Sequence, residues 1–232
     1  MPRLGITRDH SQLTEIIESA RSKGIEVIPL PFLKYEFLDY TWPDKFEHKS
    51  PDWILFTSAN GVKSFFNKMM RLEIEFSKTK FGVVGDKTRT TLEKYGYQAQ
   101  VVPVLSYGKS LFEEIAQNHI NEHESVIYVR AQKISFDPQT MFEKHSIDYN
   151  AIIAYRTIRN ELSTDSVSSL LEDDAILFTA PSTVKAYQQQ FGQPLAKAIA
   201  IGDITATAMN EQNWDNIIIM ETPDVNKVLE YI

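Results

Sequence analysis

Two stretches of the chain repeat the same residues that can do chemistry. Asp52-Trp53-Ile54-Leu55-Phe56-Thr57-Ser58-Ala59-Asn60-Gly61-Val62-Lys63 matches Asp174-Ala175-Ile176-Leu177-Phe178-Thr179-Ala180-Pro181-Ser182-Thr183-Val184-Lys185 at seven of twelve positions, offset by 122 residues. Each runs from apolar residues into hydroxyl, amide or glycine positions: Thr57, Ser58, Asn60 and Gly61 in one, Thr179, Ser182 and Thr183 in the other. A strand running into a helix would set these groups at the carboxyl end of a parallel strand, where open α/β sheets bind ligands. Helix starts add unpaired N–H donors and partial positive charge, which suit carboxylates or phosphates. The same residue types cap helices, a role compatible with binding.

A second pair, Gly85-Asp86-Lys87-Thr88 and Gly202-Asp203-Ile204-Thr205, recurs at an offset of 117. Gly85, Thr88, Gly202 and Thr205 are therefore candidate anion contacts, whereas Asp86 and Asp203 satisfy a helix start themselves and must turn away from an anion. A third pair sets Arg8 against Arg130, again offset by 122. Both are fixed cations suited to carboxylates. Lys63 and Lys185 read as solvated helix positions. His119-Ile120-Asn121-Glu122-His123 spells a zinc-protease pattern, but it falls where a helix over 107–120 ends, with no third ligand, so it is set aside. Neither a phosphate loop nor the glycines of a nucleophile elbow are found.

Strand–helix alternation must position these residues. Strands are expected at Arg3–Thr7, Ile25–Leu30, Trp53–Phe56, Phe81–Val84, Gln98–Val102, Val126–Val129, Ala151–Tyr155, Ala175–Phe178, Ala198–Ile201 and Ile217–Met220. Leu13, Ile16, Ile17 and Ala20 make one apolar helix face, closed by Lys23-Gly24. Val225, Val228, Leu229 and Ile232 predict a last helix. Such alternation means parallel sheets covered by helices. A twofold repeat of this length is no solenoid. It implies a duplicated α/β unit, hence two similar domains with a ligand cleft between them.

Composition narrows the function. The 232 residues hold 24 Lys and Arg, 31 Asp and Glu, and no cysteine, for a net charge of −7. Thiol nucleophiles and cysteine-ligated zinc are excluded, and a general nucleic-acid binder would need a basic face. Neither a signal peptide nor a membrane-length apolar run is apparent. A cytoplasmic protein without nucleic-acid or membrane partners is expected.

In their order and spacing, several pieces resemble the uroporphyrinogen-III synthase family along nearly the whole chain. They are Ile6-Thr7-Arg8, the stretch from Asp52 to Val62, Val84-Gly85-Asp86-Lys87-Thr88, Ala154-Tyr155-Arg156-Thr157, Phe178-Thr179-Ala180-Pro181-Ser182 and Ile201-Gly202-Asp203-Ile204-Thr205-Ala206. Two departures stand out: Asp9 follows Arg8 where the family often has proline, and Ala180 stands where a serine is common. The resemblance implies two flavodoxin-like parallel-sheet domains joined by a two-stranded linker. One would combine 1–35 with 160–232, the other would be 36–159, with linker strands at about 31–37 and 155–158.

The implied activity is that of a hydro-lyase of heme biosynthesis. It closes hydroxymethylbilane, a linear tetrapyrrole with eight carboxylates, to uroporphyrinogen III. Water is lost, and the last pyrrole ring is inverted through a spiro intermediate. No cofactor or metal is implied. Tyr155 matches the family's linker tyrosine, and a phenol there could donate a hydrogen bond to the leaving hydroxyl. Arg8, Thr57, Ser58, Asn60, Gly61, Gly85, Thr88, Arg130, Ser182, Thr183, Gly202 and Thr205 are the expected substrate contacts. A monomer is expected, since the repeat supplies two domains in one chain. The alternative is a non-catalytic two-domain module that binds a small anion; it would need no residue at Tyr155 and would leave its ligand unchanged.

Overall fold

In the computed structural model, residues 1–47, 49–72, 74, 76–105 and 107–232 are described. Strand β1 (Arg3–Ile6), helix α1 (Thr14–Ser22) and β2 (Glu26–Pro29) come first, and β3 (Leu33–Phe37) follows. Next are β4 (Trp53–Phe56), α2 (Ala59–Met69), β5 (Lys80–Val83), α3 (Gly85–Glu93), α4 (Gly108–Glu114), β6 (Ser125–Ala131) and α5 (Gln139–Lys144). The long β7 (Asp148–Arg159) leads to α6 (Thr164–Ser168), β8 (Ala175–Phe178), α7 (Pro181–Phe191), β9 (Lys197–Ala200), α8 (Asp203–Asn210) and β10 (Ile218–Ile219). The chain divides into two compact units, one made of 1–34 and 158–232, the other of 35–157.

The discontinuous unit holds a sheet in the order β10-β9-β8-β1-β2, parallel throughout. Its inner strand β8 is buried at every residue, as a strand covered on both faces must be. Ala175 and Leu177 face α1 and a closing 3-10 turn at Val225–Glu230, while Ile176 and Phe178 face α6, α7 and α8. The middle unit holds β3-β7-β6-β4-β5. There Ile54 and Phe56 of β4 pack with α2 and α3, and Trp53 and Leu55 pack with α4 and α5. All four side chains of β4 are buried.

The duplication is visible in the register. In the middle unit Leu55 pairs with Tyr128 across β4 and β6, and in the other Leu177 pairs with Ile6 across β8 and β1. Both pairs keep the 122-residue offset. The repeated aspartates do the same job in each unit. The Asp52 carboxylate accepts the Ser125 N–H at 2.8 Å, and that of Asp174 accepts the Arg3 N–H at 2.9 Å. Burial alone would raise both carboxyl pKa values, but hydrogen bonds from the Ser125 hydroxyl and N–H to Asp52, and from the Leu171 N–H and the Arg3 side chain and N–H to Asp174, outweigh it and hold them below the usual range.

Three expected elements come out differently. Gln98–Val102 is reduced to a single bridge at Val101 beside Gly82. The Gln100 Oε1 accepts the Phe81 N–H at 2.6 Å, so a side chain takes the place of a ladder partner. The last helix is a 3-10 turn that leaves Ile232 exposed. The helix expected over 107–120 ends as α4 at Glu114 and runs on as a π turn at Ile115–His119.

Candidate functional site

A pocket of about 280 Å³ opens at the carboxyl end of the middle unit's sheet, lined among others by Thr57, Ser58, Tyr107, Tyr128, Lys133 and Tyr155. Thr57 and Ser58 leave β4, and the turn into α2 sets both at the rim. Ser58 caps that helix: its Oγ accepts the Gly61 N–H at 3.3 Å. It also lies 2.6 Å from the Tyr155 Oη. Next to this pair, Thr57 Oγ1 lies 3.0 Å from the Tyr128 Oη.

Tyr155 owes its position to a bulge. Arg130 pairs with Ile153, but Ala131 pairs with Tyr155, so Ala154 is the extra residue of β7. Strand alternation then breaks, and Ala154 and Tyr155 are buried in succession. The Ala154 carbonyl is tied to α2 by the Ser64 hydroxyl at 2.5 Å, and the Tyr155 carbonyl to the Gln132 N–H at 2.8 Å. Gly61 lets α2 come this close, since a Cβ there would stand 3.3 Å from the Val129 carbonyl and 3.7 Å from the Tyr155 ring. Burial raises the Tyr155 phenol pKa, the Ser58 hydrogen bond offsets part of that, and the neighbouring Tyr35 adds to it. Burial likewise raises Tyr128. Both phenols therefore stay protonated at neutral pH.

The remaining expected residues differ in burial. Asn60, Gly85, Arg130, Arg8 and Gly202 are half-buried and Ser182, in the first turn of α7, is exposed, while the side chains of Thr88, Thr183 and Thr205 are buried. The Thr183 hydroxyl is turned inward, donating to the Ala180 carbonyl at 2.8 Å and accepting from Thr7 at 3.1 Å. Neither Ser182 nor Thr183 caps α7, whose N-cap is Ala180 with Pro181 behind it. Gly85 takes a φ of +72°, whereas its repeat Gly202 is extended at 177°. Asp86 is paired with Arg89 at 2.8 Å. From Arg130, Nη1 donates to the Ala131 carbonyl at 3.3 Å, and Nε has no hydrogen-bond partner among the described residues. No group of three or more His, Asp or Glu among the described residues is placed to hold a metal ion. No described helix is long and apolar enough to cross a membrane.

Repeat and motif alone do not single out Tyr128, Tyr107 and Lys133, which also line the pocket. A signal for Tyr128 lies in the sequence: a phenol in the apolar run Val126–Val129 needs a polar partner.

The sequence profile described as uroporphyrinogen-III synthase HemD matches residues 14–230. The chain belongs to the uroporphyrinogen-III synthase family. A Ruminiclostridium josui relative, "Porphyrin biosynthesis protein HemD", is 26% identical over 239 residues, covering 97% of this chain and 47% of that protein. The chain thus spans about half the length of that relative. The crystal structure of uroporphyrinogen-III synthetase from Helicobacter pylori 26695 aligns with a TM-score of 0.64 at 19% identity, over 100% of this chain and 98% of the other. A mutant uroporphyrinogen III synthase from Thermus thermophilus aligns at 0.54 with 16% identity, over 100% and 97%. These two likenesses show that the uroporphyrinogen-III synthase fold, with its parallel sheets, is the fold of this chain.

Proposed function

We infer that the protein is a uroporphyrinogen-III synthase, closing hydroxymethylbilane to uroporphyrinogen III with loss of water and inversion of the last ring. Family membership supports the reaction, and the hydrogen-bonded hydroxyls in the pocket at the end of β4 carry the chemistry. The substrate's hydroxymethyl carbon sits on a pyrrole. As the pyrrole nitrogen pushes electrons toward it, the C–O bond breaks and the oxygen leaves as water once it takes a proton. Tyr155, backed by Ser58, is the donor in this reading. The substituted carbon of the last ring then attacks to give the spiro intermediate, its bond to the neighbouring bridge carbon breaks and that bridge carbon re-bonds at the ring's free carbon, and the proton this carbon sheds returns to the phenolate, so the enzyme ends as it began. Because the step needs one proton and a held conformation, proximity and charge placement supply most of the rate.

The pocket volume is small for a ligand pocket, which suits one end of a linear tetrapyrrole. Arg8, Arg130, Asn60, Ser182 and the N–H groups at Gly85 and Gly202 are proposed to take carboxylates, while Gly61, whose N–H is taken by Ser58, is proposed to contribute by its lack of a side chain beside the pocket. The buried Thr88, Thr183 and Thr205 are proposed to act by holding their turns, since the Thr183 and Thr205 N–H groups already donate to the Ala180 and Gly202 carbonyls. The protein is further read as a cytoplasmic monomer, in keeping with a cysteine-free chain and a family substrate that is a small molecule.

The test is a coupled assay. Freshly generated hydroxymethylbilane is incubated with the protein, the products are oxidised, and the isomers are separated by chromatography. The III isomer should rise over the I isomer in proportion to protein. A ratio equal to the spontaneous background with folded protein would reject the reading in favour of a non-catalytic anion binder.

A further inference from the structure

The two halves of the duplication provide an internal comparison that bears on Tyr128. In the discontinuous unit the hydroxyls at the strand ends bond one another. Thr179 Oγ1 lies 3.3 Å from Thr7 Oγ1, the Thr179 N–H donates to Thr7 Oγ1 at 3.0 Å, and Thr7 donates to Thr183 at 3.1 Å. At the 122-residue offset the middle unit has Thr57 for Thr179, but Val129 for Thr7 and Gly61 for Thr183. Both hydroxyl partners are gone. In their place a phenol appears at a position where the other half has Ile6, fully buried in the same register. The fold therefore accepts an aliphatic side chain there, and packing does not call for the Tyr128 oxygen. The ring itself is only 2% exposed and packs edge-on against Phe112 at 4.9 Å.

Hydrogen-bond accounting shows what the oxygen does. Thr57 and Tyr128 together carry two O–H protons. One is consumed in the 3.0 Å contact between them, whichever oxygen donates. No other described side chain or backbone group accepts from either. One proton is thus left over, on a pair that lines the pocket. The adjacent Ser58–Tyr155 pair, at 2.6 Å, has the same surplus. Two neighbouring residues of one turn therefore each present a spare hydroxyl proton to the same pocket, with Lys133 on its wall. A reaction that releases one hydroxyl needs one such donor at the reacting centre. The second is free to hold an anionic oxygen.

We propose that Tyr128 is a positioning residue for substrate binding: through Thr57 it holds a hydroxyl proton toward a carboxylate at the bound end of the tetrapyrrole, while the Ser58–Tyr155 pair serves the departing hydroxyl. This rests on the synthase reading above. Tyr128→Phe keeps the ring and its packing on Phe112 and deletes only the oxygen. Thr57→Val deletes the other hydroxyl at nearly the same volume.

Steady-state kinetics of isomer III formation test the assignment, with thermal unfolding of each variant to confirm an intact fold. Tyr128→Phe should raise KM about tenfold, the scale of one hydrogen bond to a charged group, with kcat within about twofold of the parent. Thr57→Val should do the same. The double variant should be little worse than either single one, since each single change already leaves the remaining hydroxyl proton with nothing to hold it toward the ligand. Tyr155→Phe should show the opposite split, losing kcat with little change in KM. Unchanged kinetics in Tyr128→Phe, or a fall in kcat at constant KM, would overturn the proposal. So would additive losses in the double variant. If the unmutated protein makes no isomer III, the synthase reading fails first; if it does and Tyr128→Phe matches it, only this inference fails.

Discussion

Tyr155 is fixed at its oxygen by Ser58, at its carbonyl by Gln132 and at its ring edge by Tyr35, whose centroid lies 6.1 Å away. Such a phenol needs no search for its geometry when substrate arrives. Tyr155→Phe is expected to lower kcat on the order of 100-fold, the lower end of what a positioned proton donor contributes. The loss stays partial because the substrate closes unaided. Near-parental turnover in the isomer assay would remove Tyr155 from the mechanism. The pH profile follows from the same side chain. Burial moves the phenol pKa up from its ordinary value, so the protonated, competent form persists through neutral pH. As pH rises, kcat should show no loss from this group below about pH 10. An alkaline limb near neutrality would point to a different proton donor.

Helix starts distinguish the two halves. Gly85 opens α3 with φ at +72°, a conformation that costs a residue with a Cβ about 1 kcal/mol. Gly202 opens α8 in extended backbone, and a Cβ there would meet nothing nearer than Pro223 at 4.0 Å. Gly85→Ala should therefore lower Tm by about 2–4 °C, the shift of about 1 kcal/mol in a chain of this size. Gly202→Ala should leave Tm within about 1 °C, since surface changes are usually small. Calorimetry of the two variants checks this; equal shifts would mean that the repeated Gly-Asp turns are under the same constraint. Repetition made these turns easy to find, but φ is not written in the repeat.

The middle unit is one continuous stretch, entered through β3 and left through β7, which lie side by side in its sheet. It has two apolar layers of its own, one on each face of β4. A fragment of residues 33–159 is expected to fold alone, with a cooperative thermal transition and the circular dichroism of an α/β domain. A fragment without a transition would show that the second unit is required for its stability. The discontinuous unit gives no such fragment, because β1 lies between β2 and β8, which come from the two ends of the chain.

Fully apolar runs such as Trp53–Phe56 and Ala175–Phe178, each ending in threonine, were enough to place the inner strands, because a strand buried on both faces has no polar alternation to blur it. Three matching pieces at nearly one offset are enough to declare the duplication, and the Ser58 cap follows from residue type and place. Short-range signals of this kind survive in the chain alone. Only the tertiary structure decided which hydroxyls meet. Thr183 is turned into its own unit, Thr57 faces a phenol from β6, and a bulge of one residue in β7 brings Tyr155 to Ser58. Gln98–Val102 lost its ladder to a glutamine side chain for a related reason. The hydroxyl pairings depend on partners 71 to 176 residues apart and on strand register. A single-residue shift in that register sends a side chain to the opposite face, and no local pattern records it.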